Sequence, residues 1–431
     1  MSGQAPQCAA AARTTAPWCA RARAIAVTAS FLCVLLEPPY GLAIIRSVAF
    51  GVACAAATYA LWAERGQALP RHARDLVASV LAVVVVSLAG VGVSAQPAWS
   101  FRFWSHQLGE HIAIFLILLR FARPRDFYRF LVVLAVTVSA LAVVGLVGYQ
   151  TGTQVDVDRY TGPRASLMFH SYGRAALYIG RWAPLLVVLG ALAPRPWLRI
   201  LGLTGFGVCY LFTLFTFTRS IYVAVPFAVG LLFWWRRRGI TVVVAAVFFL
   251  GLVSAPGFVG QRMRSFGDLL QSRHVSGERH LIWGSTLAML RDHPALGIGY
   301  GWRNFELLYP QYRSPIATEK RLSNCHNLYL EIAVEAGLIG SLPNVWLGWC
   351  VLRRIRIVAE AVRRRTLRPP HEAIGLAALS SLFVFCVYSL TAVWFQSEGA
   401  ADFWVCVAAL DCVAAEVRGG GADEARAQRS D

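Results

Sequence analysis

Apolar residues in this chain come in long runs separated by short arginine-rich breaks, with one exception, a polar stretch over 258–327. The runs lie near 24–36, 43–62, 76–96, 108–121, 130–148, 175–193, 200–217, 221–235, 240–257, 328–352, 372–395 and 401–417. A helix needs about 20 apolar residues to cross the ~30 Å hydrocarbon core of a bilayer. The pattern therefore predicts an all-α polytopic membrane protein of about 12 transmembrane helices. It divides into a polar tail 1–23, nine spans over 24–257 with a short outer loop at 149–174, the large loop 258–327, three spans over 328–417 and a second tail 418–431.

The large loop carries helical signals of its own. Gly277 through Arg291 has helical spacing, with Ser276 as a possible N-cap and Pro294 just beyond its end. Gly297, Gly299 and Gly301 then form a glycine-rich turn, without the strand-to-helix context that a phosphate-binding loop requires. Ser323 or Asn324 is expected to cap a second helix, and Gly337 stands where its first segment would end.

Composition agrees with a membrane protein. The chain is 57% hydrophobic and only 15% charged, where a soluble domain carries about a quarter charged residues. Its net charge of +18 would point to nucleic acid in a soluble protein. Here most of it sits in short loops: Arg65, Arg71 and Arg74; Arg123, Arg125 and Arg129; Arg195 and Arg199; Arg236 to Arg238; and Arg353 to Arg368. All five fall on the side that also holds both termini, so the positive-inside rule makes that side cytoplasmic and removes any need for a nucleic-acid partner. No cleavable signal is expected, because the first apolar run leads into Glu37-Pro38-Pro39. The ten cysteines contain no Cys-x-x-Cys, and most lie inside apolar runs as small buried hydrophobes.

The opposite face breaks the charge rule. Arg159, Arg164 and Arg174 lie in the 149–174 loop, and Arg219 lies at the outer end of a span. The large loop adds Arg279 and several more. Arginines kept there suggest an anion to bind, since a guanidinium fits paired phosphate oxygens at two points; snorkelling towards headgroups is the alternative for each one singly. His326, expected in the first turn of the second loop helix, would be held neutral by the helix dipole and could take a proton from an alcohol. Its bland alternative is a histidine bonded to a nearby carbonyl. Asp156-Val157-Asp158 could hold a metal, but has Arg159 beside it and no third ligand close by, so no metal site is expected.

The run Glu278-Arg279-x-x-Ile282-Trp283, then His293-Pro294-x-x-Gly297-x-Gly299, then His326-Asn327-x-Tyr329-Leu330 and Glu335-x-Gly337-x-x-Gly340, resembles the signature loop of bacterial O-antigen ligases. Thr218-Arg219-Ser220 is similar to that family's short arginine motif at a helix junction. The resemblance implies a cofactor-free, metal-independent, inverting glycosyltransferase of the C-type membrane fold, in the bacterial inner membrane with its site facing the periplasm. The donor would be a polysaccharide on undecaprenyl pyrophosphate, and the acceptor a sugar hydroxyl of lipid A–core oligosaccharide. Arg219 and Arg279, with Arg159 or Arg164, would hold the pyrophosphate; His326 would activate the hydroxyl; Asn327 and Trp283 would support them. Met168-Phe169-His170-Ser171 departs from the proline–asparagine pattern expected after the outer arginines, which leaves the roles of Arg159 and Arg164 open. O-antigen polymerases and protein O-oligosaccharyltransferases share the donor chemistry. A lipid-linked sugar transporter is the reading from another class, disfavoured by few ionisable residues in the spans and no paired repeats.

Overall fold

The computed structural model describes residues 17–36, 42–64, 71–158, 162–167, 171–236, 279–393 and 400–427. The helices are α1 (Pro17–Leu35), α2 (Ala43–Ala63), α3 (Arg74–Gly92), α4 (Pro97–Trp104), α5 (Glu110–Phe121), α6 (Pro124–Gln150), α7 (Tyr172–Leu192), α8 (Pro196–Phe215), α9 (Arg219–Arg236), α10 (Arg279–Asp292), α11 (Trp302–Tyr312), α12 (Leu328–Arg364), α13 (Pro369–Ser389) and α14 (Ala400–Ala427). Among the described residues eight are long and apolar enough to cross a membrane, namely α1, α2, α3, α6, α7, α8, α12 and α13, and α9 holds a shorter apolar run. The protein is an all-α polytopic membrane protein. The apolar run 240–257 and the possible cap Ser276 lie outside the described residues.

Local chemistry explains where the spans turn. Arg123-Pro124, Arg195-Pro196 and Arg368-Pro369 each put an extended arginine before a proline that opens a helix. Proline disfavours helical geometry in the residue before it, while its own fixed φ suits the first helical position. The same dipeptides thus supply both the break and the charge. α7 and α8 run antiparallel in close contact, since a Cβ on Gly202 would collide with the Gly190 backbone while Gly180 faces Thr213 near the other end. Small residues let helices in lipid approach each other in this way.

The 149–174 loop is not wholly irregular. Val155–Asp158 (β1) and Gly162–Ala165 (β2) pair antiparallel, with Asp156 opposite Arg164. Strands of only four residues each leave no clear alternation in the sequence, so this hairpin is visible only in the structure.

Ionisable residues inside the bundle are more prominent than the sequence reading allowed. Arg181 of α7 bonds Asp402 of α14, both side chains only 1% exposed. Arg46 of α2 binds Glu110 at the head of α5 at 3.0 Å. At the arginine-rich end, buried Arg354 binds Asp411 at 2.6 Å, Asp75 at 2.8 Å and the His72 carbonyl at 2.9 Å, which joins α12, α14 and α3. Buried charge is tolerated where it is paired and its hydrogen bonds are filled.

Candidate active site

α12 is broken at Gly337, which has φ +70° and ψ −179°. That conformation suits glycine, and the turn before α11 docks into the gap it opens. Ile298 N–H donates to Val334 O at 2.8 Å, Gly299 N–H to Glu335 O at 3.1 Å, and Leu338 N–H to Pro294 O at 2.8 Å. Tyr300 N–H reaches Gly90 O at the end of α3. Gly297, also at positive φ, approaches the α12 backbone too closely for any side chain. The three-glycine turn is therefore a backbone-to-backbone dock, and Gly337 ends the first helical segment as its position suggested. Above the dock, Ile282, Met289, Phe305, Tyr309 and Cys325 bury one another in a small core that seats α10 and α11.

Glu335 reaches beyond its own helix: its Oε1 accepts the Gly301 N–H at 3.0 Å. One turn earlier the fully buried Glu331 accepts the Cys325 N–H on Oε2 at 2.9 Å. Both carboxylates read as scattered in the sequence. In the structure each fastens a loop to α12.

His326 is a correction of detail. The cap of α12 is Asn327, not Ser323 or Asn324; its Oδ1 accepts Tyr329 N–H at 3.0 Å and Leu330 N–H at 3.1 Å. His326 therefore precedes the cap instead of lying in the first turn. It sits at φ +56°, a left-handed conformation that costs a non-glycine residue roughly 1–2 kcal/mol. Four bonds hold it there: Cys325 N–H to Glu331, His326 N–H to Asn324 Oδ1 at 3.1 Å, Trp283 Nε1–H to Cys325 O at 3.1 Å, and Asn327 Nδ2–H to Leu390 O at 3.2 Å. Burial and then the charge of Arg279 push the half-buried imidazole down to about 4. It is neutral at working pH as expected, though by desolvation and a neighbouring cation rather than by a helix it belongs to.

Arg279 opens α10; the residue is exposed as a whole, but burial of its guanidinium lowers its pKa, and the group lies within electrostatic reach of His326 and of the Tyr172 and Tyr388 phenols. Arg164 is buried with its guanidinium 4.1 Å from the centre of the Tyr172 ring. Tyr388 donates to Gly173 O at 3.2 Å, which ties α13 to the start of α7. The structure thus brings together Arg164, Arg279 and His326 around two tyrosines. Arg219 is the first residue of α9, four residues after the end of α8, whose antiparallel course beside α7 returns it to the end where Tyr172 stands; its side chain, with Arg159 and the 168–170 stretch, lies outside what is described. Trp283 and Asn327 bond to the loop backbone. Tyr172, Tyr388 and Glu331 were not singled out from sequence, where an aromatic at a membrane boundary or one carboxylate in a helix carries no distinguishing signal. Among the described residues no group of three or more His, Cys, Asp and Glu could hold a metal.

This constellation can bind an anion through guanidinium groups and accept a proton at a neutral imidazole beside it. Residues 204–345, about a third of the chain, match the family model described as O-antigen ligase. The match is a likeness to the O-antigen ligase/polymerase superfamily over that part of the chain. It spans the chain from within α8 to just beyond the Gly337 break, and so includes Arg219, Arg279, Trp283, His326 and Asn327. No curated protein matches this chain.

Proposed function

We propose that this protein is an O-antigen ligase, which moves a polysaccharide from undecaprenyl pyrophosphate to a sugar hydroxyl of lipid A–core oligosaccharide at the periplasmic face of the inner membrane. The observation that carries the proposal is the neutral, strained His326 beside the guanidinium of Arg279, at the end of the bundle away from the arginine-rich connections. The proposed orientation has those connections and both termini in the cytoplasm.

In this reading the acceptor hydroxyl gives its proton to the free imidazole nitrogen of His326. Its oxygen forms a bond to the anomeric carbon as the bond to the pyrophosphate oxygen breaks on the opposite face, so the configuration inverts. Undecaprenyl pyrophosphate leaves with the electron pair. Arg279 and Arg219, together with Arg164 or Arg159, neutralise its charge, and preorganised donors of this kind are worth most where water is excluded. Asn327 and Trp283 keep the histidine loop in place. No cofactor takes part.

The test is a purified-component assay in liposomes that offers the lipid-linked glycan with lipid A–core, with a second lipid-linked glycan, or with a protein acceptor. Transfer to lipid A–core supports the ligase. Transfer only to the lipid-linked glycan or only to protein would make the chain a polymerase or a protein O-oligosaccharyltransferase. Uptake of the glycan without any transfer would favour a transporter.

The same assay checks the need for metal. Transfer is expected to persist in excess EDTA, because guanidinium groups carry the leaving-group charge, and in an Asp156→Asn, Asp158→Asn double variant, because Asp156 faces Arg164 across the hairpin. Loss of transfer in EDTA that Mg²⁺ or Mn²⁺ restores, with an inactive double variant, would return the Asp-x-Asp to the site and remove the arginine mechanism.

A further inference from the structure

Glu331 is a fully buried carboxylate that the proposed reaction does not use. It stands one turn into α12, and its Oε2 accepts the N–H of Cys325, the residue immediately before His326. Its other oxygen, Oε1, has no hydrogen-bond partner among the described residues. Burying a carboxylate for one backbone amide and the thiol of the same residue, Cys325, is costly, so a purely stabilising account of it is weak. The contact lies at the start of a left-handed turn at His326, and the other bonds to that turn come from Asn324, Trp283 and Asn327. Of the groups that hold it, Glu331 alone reaches it from inside the membrane helix.

We infer that Glu331 is a positioning residue, which holds the Cys325 N–H and thereby keeps His326 in the left-handed conformation that presents its imidazole towards the Arg279 guanidinium. Two properties follow. The requirement is for a hydrogen-bond acceptor and not for a charge, so glutamine, whose amide oxygen can take the same N–H, should substitute for it. Its effect reaches the reaction through the geometry of His326, so turnover should suffer while affinity for the lipid-linked donor does not. The second property rests on the function proposed above; the first does not.

The experiment uses full-length wild type, Glu331→Gln and Glu331→Ala in detergent and in liposomes. Hydrogen–deuterium exchange over 323–330 is read beside kcat and KM for undecaprenyl-pyrophosphate-linked glycan. Glu331→Ala is expected to raise exchange at the Cys325 amide at least tenfold and to lower kcat by about 30- to 100-fold with KM within about twofold, in the range found when catalytic groups are misplaced. Glu331→Gln is expected to keep exchange near wild type and at least a third of kcat. Unchanged exchange in Glu331→Ala overturns the inference whatever the activity. So does a Glu331→Gln protein as inactive as Glu331→Ala, since charge and not acceptance would then be what matters. If wild type itself transfers no glycan, the functional reading fails, and the exchange data alone decide whether Glu331 anchors the turn.

Discussion

Replacing His326 with alanine is expected to lower glycan transfer by about 10²- to 10⁴-fold, the range that a positioned general base contributes, while membrane insertion and donor binding stay near wild type. The expectation rests on how the residue is held. Its loop is anchored through backbone groups of Cys325 and the side chains of Asn324 and Asn327, not through the imidazole. Removing the ring therefore leaves the scaffold in place. The pH profile of kcat/KM in the wild type offers a second check. An ordinary histidine titrates near 6.5, so a base of that kind would lose activity below it; His326, pushed down to about 4, should still work at pH 5. A folded-state value below the unfolded one also means that the histidine's share of stability is present above 6.5 and is lost as pH falls through about 4. A His326→Ala protein with wild-type turnover would end the base assignment.

Arg279 is expected to separate charge from geometry. Arg279→Lys keeps the cation but loses the planar fork that meets two phosphate oxygens at once, so kcat/KM for the lipid-linked donor should fall about 100-fold, comparable with removing one preorganised donor from an anionic transition state. The acid limb of its residual activity should stay near that of wild type, because the positive charge beside His326 remains. Arg279→Gln should show a similar loss and, in addition, a limb moved upward from about 4 but short of 6.5, since the charge that disfavours the imidazolium is gone while the burial that contributes most remains. Steady-state kinetics across pH 3.5–8 for the three proteins distinguishes these outcomes. Silent substitutions at Arg279 would make it an interfacial arginine that only reaches for headgroups.

What the sequence revealed and what it hid have a common cause. Spans were legible because apolar runs stop at arginines, and Arg123-Pro124, Arg195-Pro196 and Arg368-Pro369 make each stop a helix start. The helix at Arg279–Asp292 and the break at Gly337 were legible for the same kind of reason, since local residue chemistry decides both. The cap of α12 was not: Ser323, Asn324 and Asn327 are all capping types, and only the packing of the loop selects Asn327. Glu331 and Glu335 looked scattered because their partners, the Cys325 and Gly301 amides, are backbone groups that no side-chain pattern announces. Tyr172 became visible only when the fold stacked Arg164 on it.

The pairing of Arg181 with Asp402 has a consequence for how the protein is made. The two residues stand 221 positions apart, so α7 leaves the ribosome long before its counter-charge is synthesised. A lone arginine at the middle of a helix disfavours release into lipid by about 2.5–3.5 kcal/mol. During that interval α7 lacks the Asp402 carboxylate and is served by water, the insertion machinery or helices already assembled. The Arg181–Asp402 contact is therefore among the last to form, and a chain cut short before Asp402 would lack it.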